Sequence, residues 1–431
     1  MDHSQDELNR RRQQHLRDRQ RRARKKRIKK ILLITLAVLA AIAVIVGIIS
    51  IISKTLLNKP DSTTPTTPPE TTLPGTTGPA MEDKVIHLVA GGDLNITDKT
   101  VASGLAVSGY DYTDVFMDLV PTLSGADLSI LNFEGGIFGS PYGSDSKSAP
   151  TQMLTALQNA GVDMLQAANS QSLAGGLNGL TATLDAIRKA GMEPLGAYRS
   201  QEEAEESGGF VIWEIQGIRV AVVAFTKGMD SMALPAGSES CVNLLYEDYA
   251  TAYQKVDTEG ITKILKAVAK EKPDITIALV HWGSEYNDTH SKSQENIRKL
   301  LLQEGVDAII GTHPHYVQEI VFDEAAGTLV AYSLGDFISD GTKSGTEYSI
   351  VLEIEITKDT QAKKTYISGY RYTPIFTVSD EEALRVVRLE EAIADYEADY
   401  LGKVSKDMYD DMIYARGRIA KRVVKEEEKT E

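Results

Sequence analysis

The hydrophobic pattern divides the chain into three regions. Residues 31–53, from Ile31-Leu-Leu-Ile to Ile51-Ile-Ser53, are 23 positions without a charge. At about 1.5 Å per residue they span the roughly 30 Å hydrocarbon core of a bilayer, so they predict one transmembrane helix. The apolar run is too long, and its charged flank too extended, for a cleaved signal peptide. From Pro60 to Ala80, 14 of 21 residues are Thr or Pro; that composition buries nothing and predicts an extended stalk over 54–81. From residue 82 onward, short apolar runs alternate with helical periodicity. Strands are predicted at Val85–Ala90, Leu128–Leu131, Arg219–Phe225, Ile275–Val280 and Ala308–Ile310, and helices near Leu177–Ala190, Glu259–Lys270 and Ser293–Glu304. This order reads as α/β with substantial parallel sheet. Closely spaced strands at Val211–Glu214 and Arg219–Phe225, then at Thr328–Ser333 and Tyr348–Ile356, read as antiparallel. A mixed sheet or two packed sheets is therefore expected in place of a purely doubly wound one. The main domain is placed at 82–377. Residues 378–431 form a C-terminal region, in which 381–427 are charged, Gly-poor and helical in pattern, predicting one or two helices and a fraying tail.

Charge sets the orientation. Residues 1–30 hold thirteen Lys/Arg against four acids, and the block Arg21–Lys30 abuts the apolar run. The positive-inside bias keeps this tail in the cytoplasm and sends the C-terminal domain out, as a single-pass protein of the cell membrane. The whole chain has 46 bases and 61 acids, so residues 31–431 retain 33 and 57 and carry −24. Such an acidic body excludes nucleic acid as the expected partner, because phosphate binding needs a basic footprint. The single cysteine, Cys241, permits no intrachain disulfide and reads as a packing residue.

Of seven histidines, three follow buried-strand patterns: His281 after Ile275–Val280, and His313 and His315 after Ala308–Ile310. Ligands of open α/β sheets bind beyond the carboxyl ends of strands, so these imidazoles should converge. His-x-His across Pro314 can aim both rings at one ion, and imidazole suits Zn, Mn, Fe or Ni better than Mg or Ca. Acids and amides recur at equivalent strand ends: Asp93 with Asn95, Asn132 with Glu134, and Asn169. A carboxylate beside imidazoles is what a catalytic divalent ion requires. Taken singly, Asp93, Asn132 and Asn169 equally fit turn chemistry. Glu134 precedes Gly135-Gly136, which lets backbone approach closely, as at a ligand site.

With these pieces in order, the chain resembles the poly-γ-glutamate capsule biosynthesis proteins of the CapA type, whose domain is similar to a calcineurin-like metallophosphoesterase. The resemblance spans about Lys84 to Asp340. It rests on Gly92-Asp93, Asn132-Phe-Glu134, Ala168-Asn169 with Gly179-Leu180, His281-Trp-Gly-Ser-Glu-Tyr286, Gly311-Thr-His-Pro-His315 and Tyr332-Ser-Leu-Gly-Asp-Phe337. It implies a four-layer αββα sandwich of two packed mixed sheets. It also implies that Asp93, Glu134, Asn169, His281, His313 and His315 line one crevice for a divalent metal, Mn, Zn or Fe, with Asn169, His281 and Glu285 in the catalytic set. Glu285 equally fits a partner that orients an imidazole, and Trp282 a wall of the pocket. The chain departs from the family pattern at Gln171, where a proton-donating histidine is usual, at Ala174, where an acid is frequent, and at Asp336, where Asn is usual. Glutamine transfers no proton at neutral pH. Two functions are therefore expected. One is an extracytoplasmic phosphoesterase-type hydrolase acting on an anionic envelope polymer or its precursor. The other is a binding or assembly module for such a polymer, alongside polymer-synthase membrane subunits.

Overall fold

The computed structural model describes residues 83–379, 383–398 and 404–424. The expected cytoplasmic tail 1–30, transmembrane helix 31–53 and stalk 54–81 lie outside the described residues, as does the end of the charged tail. Among the described residues no helix is long and apolar enough to cross a membrane.

In chain order the strands are β1 (Lys84–Asn95), β2 (Leu128–Glu134), β3 (Met164–Gln166), β4 (Glu193–Leu195), β5 (Phe210–Ile215), β6 (Ile218–Thr226) and β7 (Ile275–His281). They continue as β8 (Ala308–Thr312), β9 (Ile320–Asp323), β10 (Thr328–Ala331), β11 (Asp336–Ile338), β12 (Tyr348–Asp359), β13 (Lys364–Ser379) and β14 (Leu384–Arg388). The longer helices are α1 (Gln152–Ala160), α2 (Gly176–Lys189), α3 (Thr258–Lys270), α4 (Lys292–Gln303), α5 (Leu389–Glu397) and α6 (Lys406–Val423). One sheet runs β14-β13-β12-β1-β2-β3-β4, with β11 beside the end of β1; the other runs β5-β6-β7-β8-β10-β9. Both are mixed, parallel through β1–β4 and through β6–β7–β8–β10, and antiparallel at their flanks. The expected pairing of Thr328–Ser333 with Tyr348–Ile356 is corrected: β10 pairs with β8 and β9, whereas β12 lies in the other sheet, antiparallel to β1 and β13. The reason is β11, which pairs with β1 and carries the chain from one sheet to the other between them.

Period-2 alternation sorts the side chains into layers. Ile86, Leu88, Leu128 and Ile130 of the first sheet meet Val220, Ile275, Ile277 and Ile310 of the second in one apolar layer. The outer face of the first sheet packs Val89, Leu131 and Phe133 against Met153, Leu154 and Leu157 of α1. The outer face of the second packs Ala278, Val280 and Ile309 against α3 and α4. The result is helices, sheet, sheet and helices. At the C-terminus, a segment whose pattern predicts helix opens instead as β14, where Val386 and Val387 favour extended backbone. Helices α5 and α6 follow and place Leu389, Ile393, Met412 and Ile419 in the same inter-sheet core.

The parallel strands are registered by a repeated device. An aspartate precedes each of β2, β3, β7 and β8, and its carboxylate accepts the backbone N–H of the neighbouring strand: Asp127 from His87, Asp163 from Ser129, Asp274 from Arg219 and Asp307 from Thr276, at 2.8 to 2.9 Å. Each aspartate N–H donates back to the carbonyl of the same residue. These four clamps fix the amino ends of the strands and so the level at which their carboxyl ends finish.

Candidate metal centre

The site forms where the strands end. In β2, Leu128 and Ile130 face the other sheet, so Asn132 and Glu134 follow on that face while Leu131 and Phe133 turn to the helices. In β7, His281 follows Ile275, Ile277 and Leu279 inward, and Trp282 goes with Ala278 and Val280 to the helix side. Trp282 is therefore core and not pocket wall: it is fully buried, stacks on Tyr332, and donates its Nε1–H to the Tyr332 carbonyl at 2.9 Å.

A regular β1 would put Asp93 on the outer face with Val89. Its register against β2 instead slips between Ala90, opposite Ile130, and Asp93, opposite Asn132. The extra residue is a bulge at Gly91-Gly92, and it turns Asp93 inward. Only glycine fits at 92, since a Cβ there would lie 1.7 Å from the Gly335 carbonyl oxygen. The close approach lets the Asp93 N–H donate to that oxygen at 3.0 Å and sets Asp93 opposite Asp336 of β11. Beyond β8, His313 and His315 both take left-handed backbone, with φ of 92° and 59°. For non-glycine residues this costs about 1–3 kcal/mol each. The Asp93 carboxylate stabilises the turn by accepting the His313 N–H at 3.0 Å.

Three constellations result, each with its ligating atoms within 4.8 Å of one another: Glu134, His281 and His313; Asp93, His315 and Asp336; and Glu285, His313 and His315. In the first, His281 Nε2 lies 3.3 Å from Glu134 Oε1, and its Nδ1 lies 3.3 Å from Thr226 Oγ1. In the second, His315 Nδ1 lies 2.7 Å from Asp336 and 3.5 Å from Asp93. Asn132 donates to the other oxygen of Asp93 at 2.6 Å. Glu285 is exposed at the mouth. Asn169 is buried behind Asn132, with both ends of its amide engaged by protein: the Nδ2 donates to Asn132 and to the Phe133 carbonyl, and the Oδ1 accepts from the Gln171 N–H. Gln171 itself turns away to donate to Asp230 at 2.8 Å.

Burial dominates the electrostatics. It pushes Asp336 up to about 7 against the pull of His315, and raises Asp93 with help from Glu134. For Glu134 burial acts upward too, but the adjacent His281 outweighs it and holds the carboxyl low. Burial, with His281 and Lys227 nearby, holds His313 well below the usual imidazole range. At His315 the opposing effect of burial loses to Asp336 and Asp93, and the ring is held well above that range. Two buried atoms here lack any hydrogen-bond partner, Glu134 Oε2 and His313 Nδ1. Leaving each unsatisfied costs about 1–3 kcal/mol. An anionic oxygen and a neutral ring nitrogen facing one crevice are donors that suit a divalent transition ion, so the residues fit such a metal.

The structure thus brings together Asp93, Glu134, His281, His313, His315 and Glu285, with Asn169 behind them. His87 and His290 stand apart, beside Glu353 and Glu319. Sequence reasoning noted Asp336 only as a departure from a pattern, and it missed Tyr286, which stacks on His315 at 5.4 Å. It also missed Lys227, whose Nζ lies 3.1 Å from His313 Nε2. Lys227 directly follows β6, and the strand-end rule that located His281 applies to it equally.

Residues 87–341 match the protein family described as bacterial capsule synthesis protein PGA_cap. The capsule biosynthesis protein CapA of Bacillus anthracis is 27% identical over 255 residues, covering 58% of this chain and 58% of that protein. The PGA biosynthesis protein CapA of Bacillus subtilis (strain 168) is 24% identical over 278 residues, covering 61% and 64%. The chain spans about three fifths of the length of these curated relatives. A calcineurin-like phosphoesterase from Bacillus subtilis, YfkN, superposes with a TM-score of 0.42 at 14% identity, over 78% of this chain and 100% of that one.

Proposed function

The chain belongs to the bacterial capsule synthesis protein family, and from that premise we propose that its crevice is a divalent-metal site of the phosphoesterase type, acting on an anionic envelope polymer or its precursor. The protein is read as anchored by residues 31–53, with the domain outside the membrane and working beside polymer-synthase membrane subunits. The observation that carries the reading is the convergence of Glu134, His281, His313, Asp93, His315 and Asp336, with two of their buried donor atoms unsatisfied. These six would hold the metal, Mn, Zn or Fe. When bound, it supplies charge that polarises a phosphoryl oxygen and acidifies water. The chain's own residues do the positioning. Thr226 fixes the His281 ring, Asn132 fixes the Asp93 carboxylate, and Asn169 fixes Asn132. Glu285, at the mouth, is placed to orient His313 and His315 or to accept a proton from incoming water.

A second reading, a polymer-binding or assembly module without turnover, is favoured by Gln171 and Ala174. General acid catalysis contributes roughly 10²- to 10⁴-fold, and no proton donor stands at residue 171. Hydrolysis of a phosphodiester by the metal-loaded full chain, with and without Gln171→His, separates the two. Chelator-sensitive hydrolysis that rises in the histidine variant supports the hydrolase. No hydrolysis by either protein with metal bound supports the module.

A further inference from the structure

Beside His313 lies a cavity of ≈ 260 Å³, walled by Ser170, Lys227, Asp230, Tyr253, Ser284 and Glu285. The cation in its wall is Lys227, half-buried and held on three sides: the Nζ donates to the Gly283 carbonyl at 2.9 Å, lies 3.1 Å from His313 Nε2, and sits 4.7 Å above the Tyr253 ring. None of these is a counter-ion, and among the described residues no carboxylate forms an ion pair with it. Of the two acids in the wall, Asp230 already accepts from Gln171, and Glu285 groups with His313 and His315. Glu285, Asp230 and Glu134 offset part of its charge at longer range, but none meets it at ion-pair distance. A lysine drawn into a crevice usually has a carboxylate in direct contact, because desolvating an ammonium is unfavourable unless an anion compensates it. The bond to Gly283 engages one of its three N–H donors, and Ser170 and Ser284 line the same space.

We infer that this cavity is the anion subsite of the centre, in which Lys227 supplies the counter-charge for a phosphate or carboxylate group of the bound molecule while the adjoining cluster holds the metal. The inference rests on the reading of the crevice as a site for an anionic polymer. It gives Lys227 the role of a specificity-determining residue and explains how a body carrying −24 over residues 31–431 can accept an anion, by local inversion of the field.

The test uses the metal-loaded full chain and two probes, inorganic phosphate and γ-linked triglutamate, with affinity read by calorimetry and metal content by elemental analysis. Lys227→Met should weaken at least one probe by about tenfold or more, the worth of a charge-assisted hydrogen bond, at unchanged metal content; Lys227→Arg should restore most of the affinity. The probe that responds identifies the anion as phosphate or carboxylate. If the Met variant fails to fold, Lys227→Gln, which keeps a donor to the Gly283 carbonyl, replaces it. Equal affinities in wild type and variant, or no affinity of the wild type for either probe, overturns the inference. Failure of the metal reading shows separately, as wild-type protein without metal.

Discussion

Replacing Gly92 by alanine tests whether the bulge in β1 builds the centre. The added Cβ would lie 1.7 Å from the Gly335 oxygen, where real contacts do not fall under 3.0 Å, so the two backbones must separate by at least about 1.3 Å. Neither side is a flexible side chain that can step aside. The separation breaks the 3.0 Å bond from the Asp93 N–H to Gly335 and moves Asp93 away from Asp336. Overpacking of about 1–3 kcal/mol and a buried bond left unmade, about 1–3 kcal/mol, bring the destabilisation to about 2–6 kcal/mol. At roughly 2 °C per kcal/mol for a chain of this size, Tm falls by about 4–12 °C. Metal ligation tolerates displacements of only about 0.2 Å, so metal content should fall with it. Urea denaturation and elemental analysis read the two effects. Gly417→Ala is the control: Gly417 lies exposed in α6 with nothing within 4 Å of its Cβ position, and alanine there should stabilise by about 0.5–1 kcal/mol. A Gly92→Ala protein that keeps its metal and unfolds within about 0.5 kcal/mol of wild type would refute this role for the bulge.

Two pH effects arise from burial. Asp307 is pushed from the usual 3.8 up to about 6, so the native state binds its proton more tightly than the unfolded chain. Wild-type stability should therefore fall as pH climbs from about 4 through 6, by up to about 3 kcal/mol. Asp307→Asn keeps the acceptor for the Thr276 N–H and should flatten that fall in denaturation series from pH 4 to 7; parallel curves for the two proteins would contradict it. Asp336, held at about 7, must lose its proton to ligate. His315, held well above the usual imidazole range, must lose its proton too, so metal affinity should strengthen by about tenfold or more per pH unit up to 7 and go on rising above it. Calorimetry at pH 6, 7 and 8 reads this, and an affinity independent of pH would remove Asp336 from the ligand set.

The strands, their mixed pairing and the positions of the three histidines were legible in the sequence for one physical reason: buried strands read as uninterrupted apolar runs, and the residues directly after them land at the sheet's carboxyl edge. The pattern left one mixed sheet or two open, and only the family resemblance implied two. Trp282 was misplaced because the alternation of the strand continues one residue past that edge and separates it from His281. The bulge was not legible, because nothing in Gly91-Gly92 announces that Asp93 changes face; that depends on Gly335, more than two hundred residues away. The partners of β10 and β12 were obscured in the same way, since β11 is only three residues long and its pairing is non-local. Lys227 escaped notice and Asp336 was read only as a departure from a pattern, because each is a single polar residue that only proximity to His313 and His315 distinguishes from an ordinary loop residue. The four aspartate clamps were visible as Asp before each apolar run, but their meaning required the neighbouring strand.

The most direct measurement is the metal content of the purified full chain beside that of its His313→Ala/His315→Ala variant, after both are offered Mn and Zn. About one or two ions are expected per wild-type chain and none in a variant that remains folded, since the two histidines lie on a turn at the edge of the core. Metal-free wild type, or the same content in both proteins, would contradict the assignment of this crevice as a metal centre.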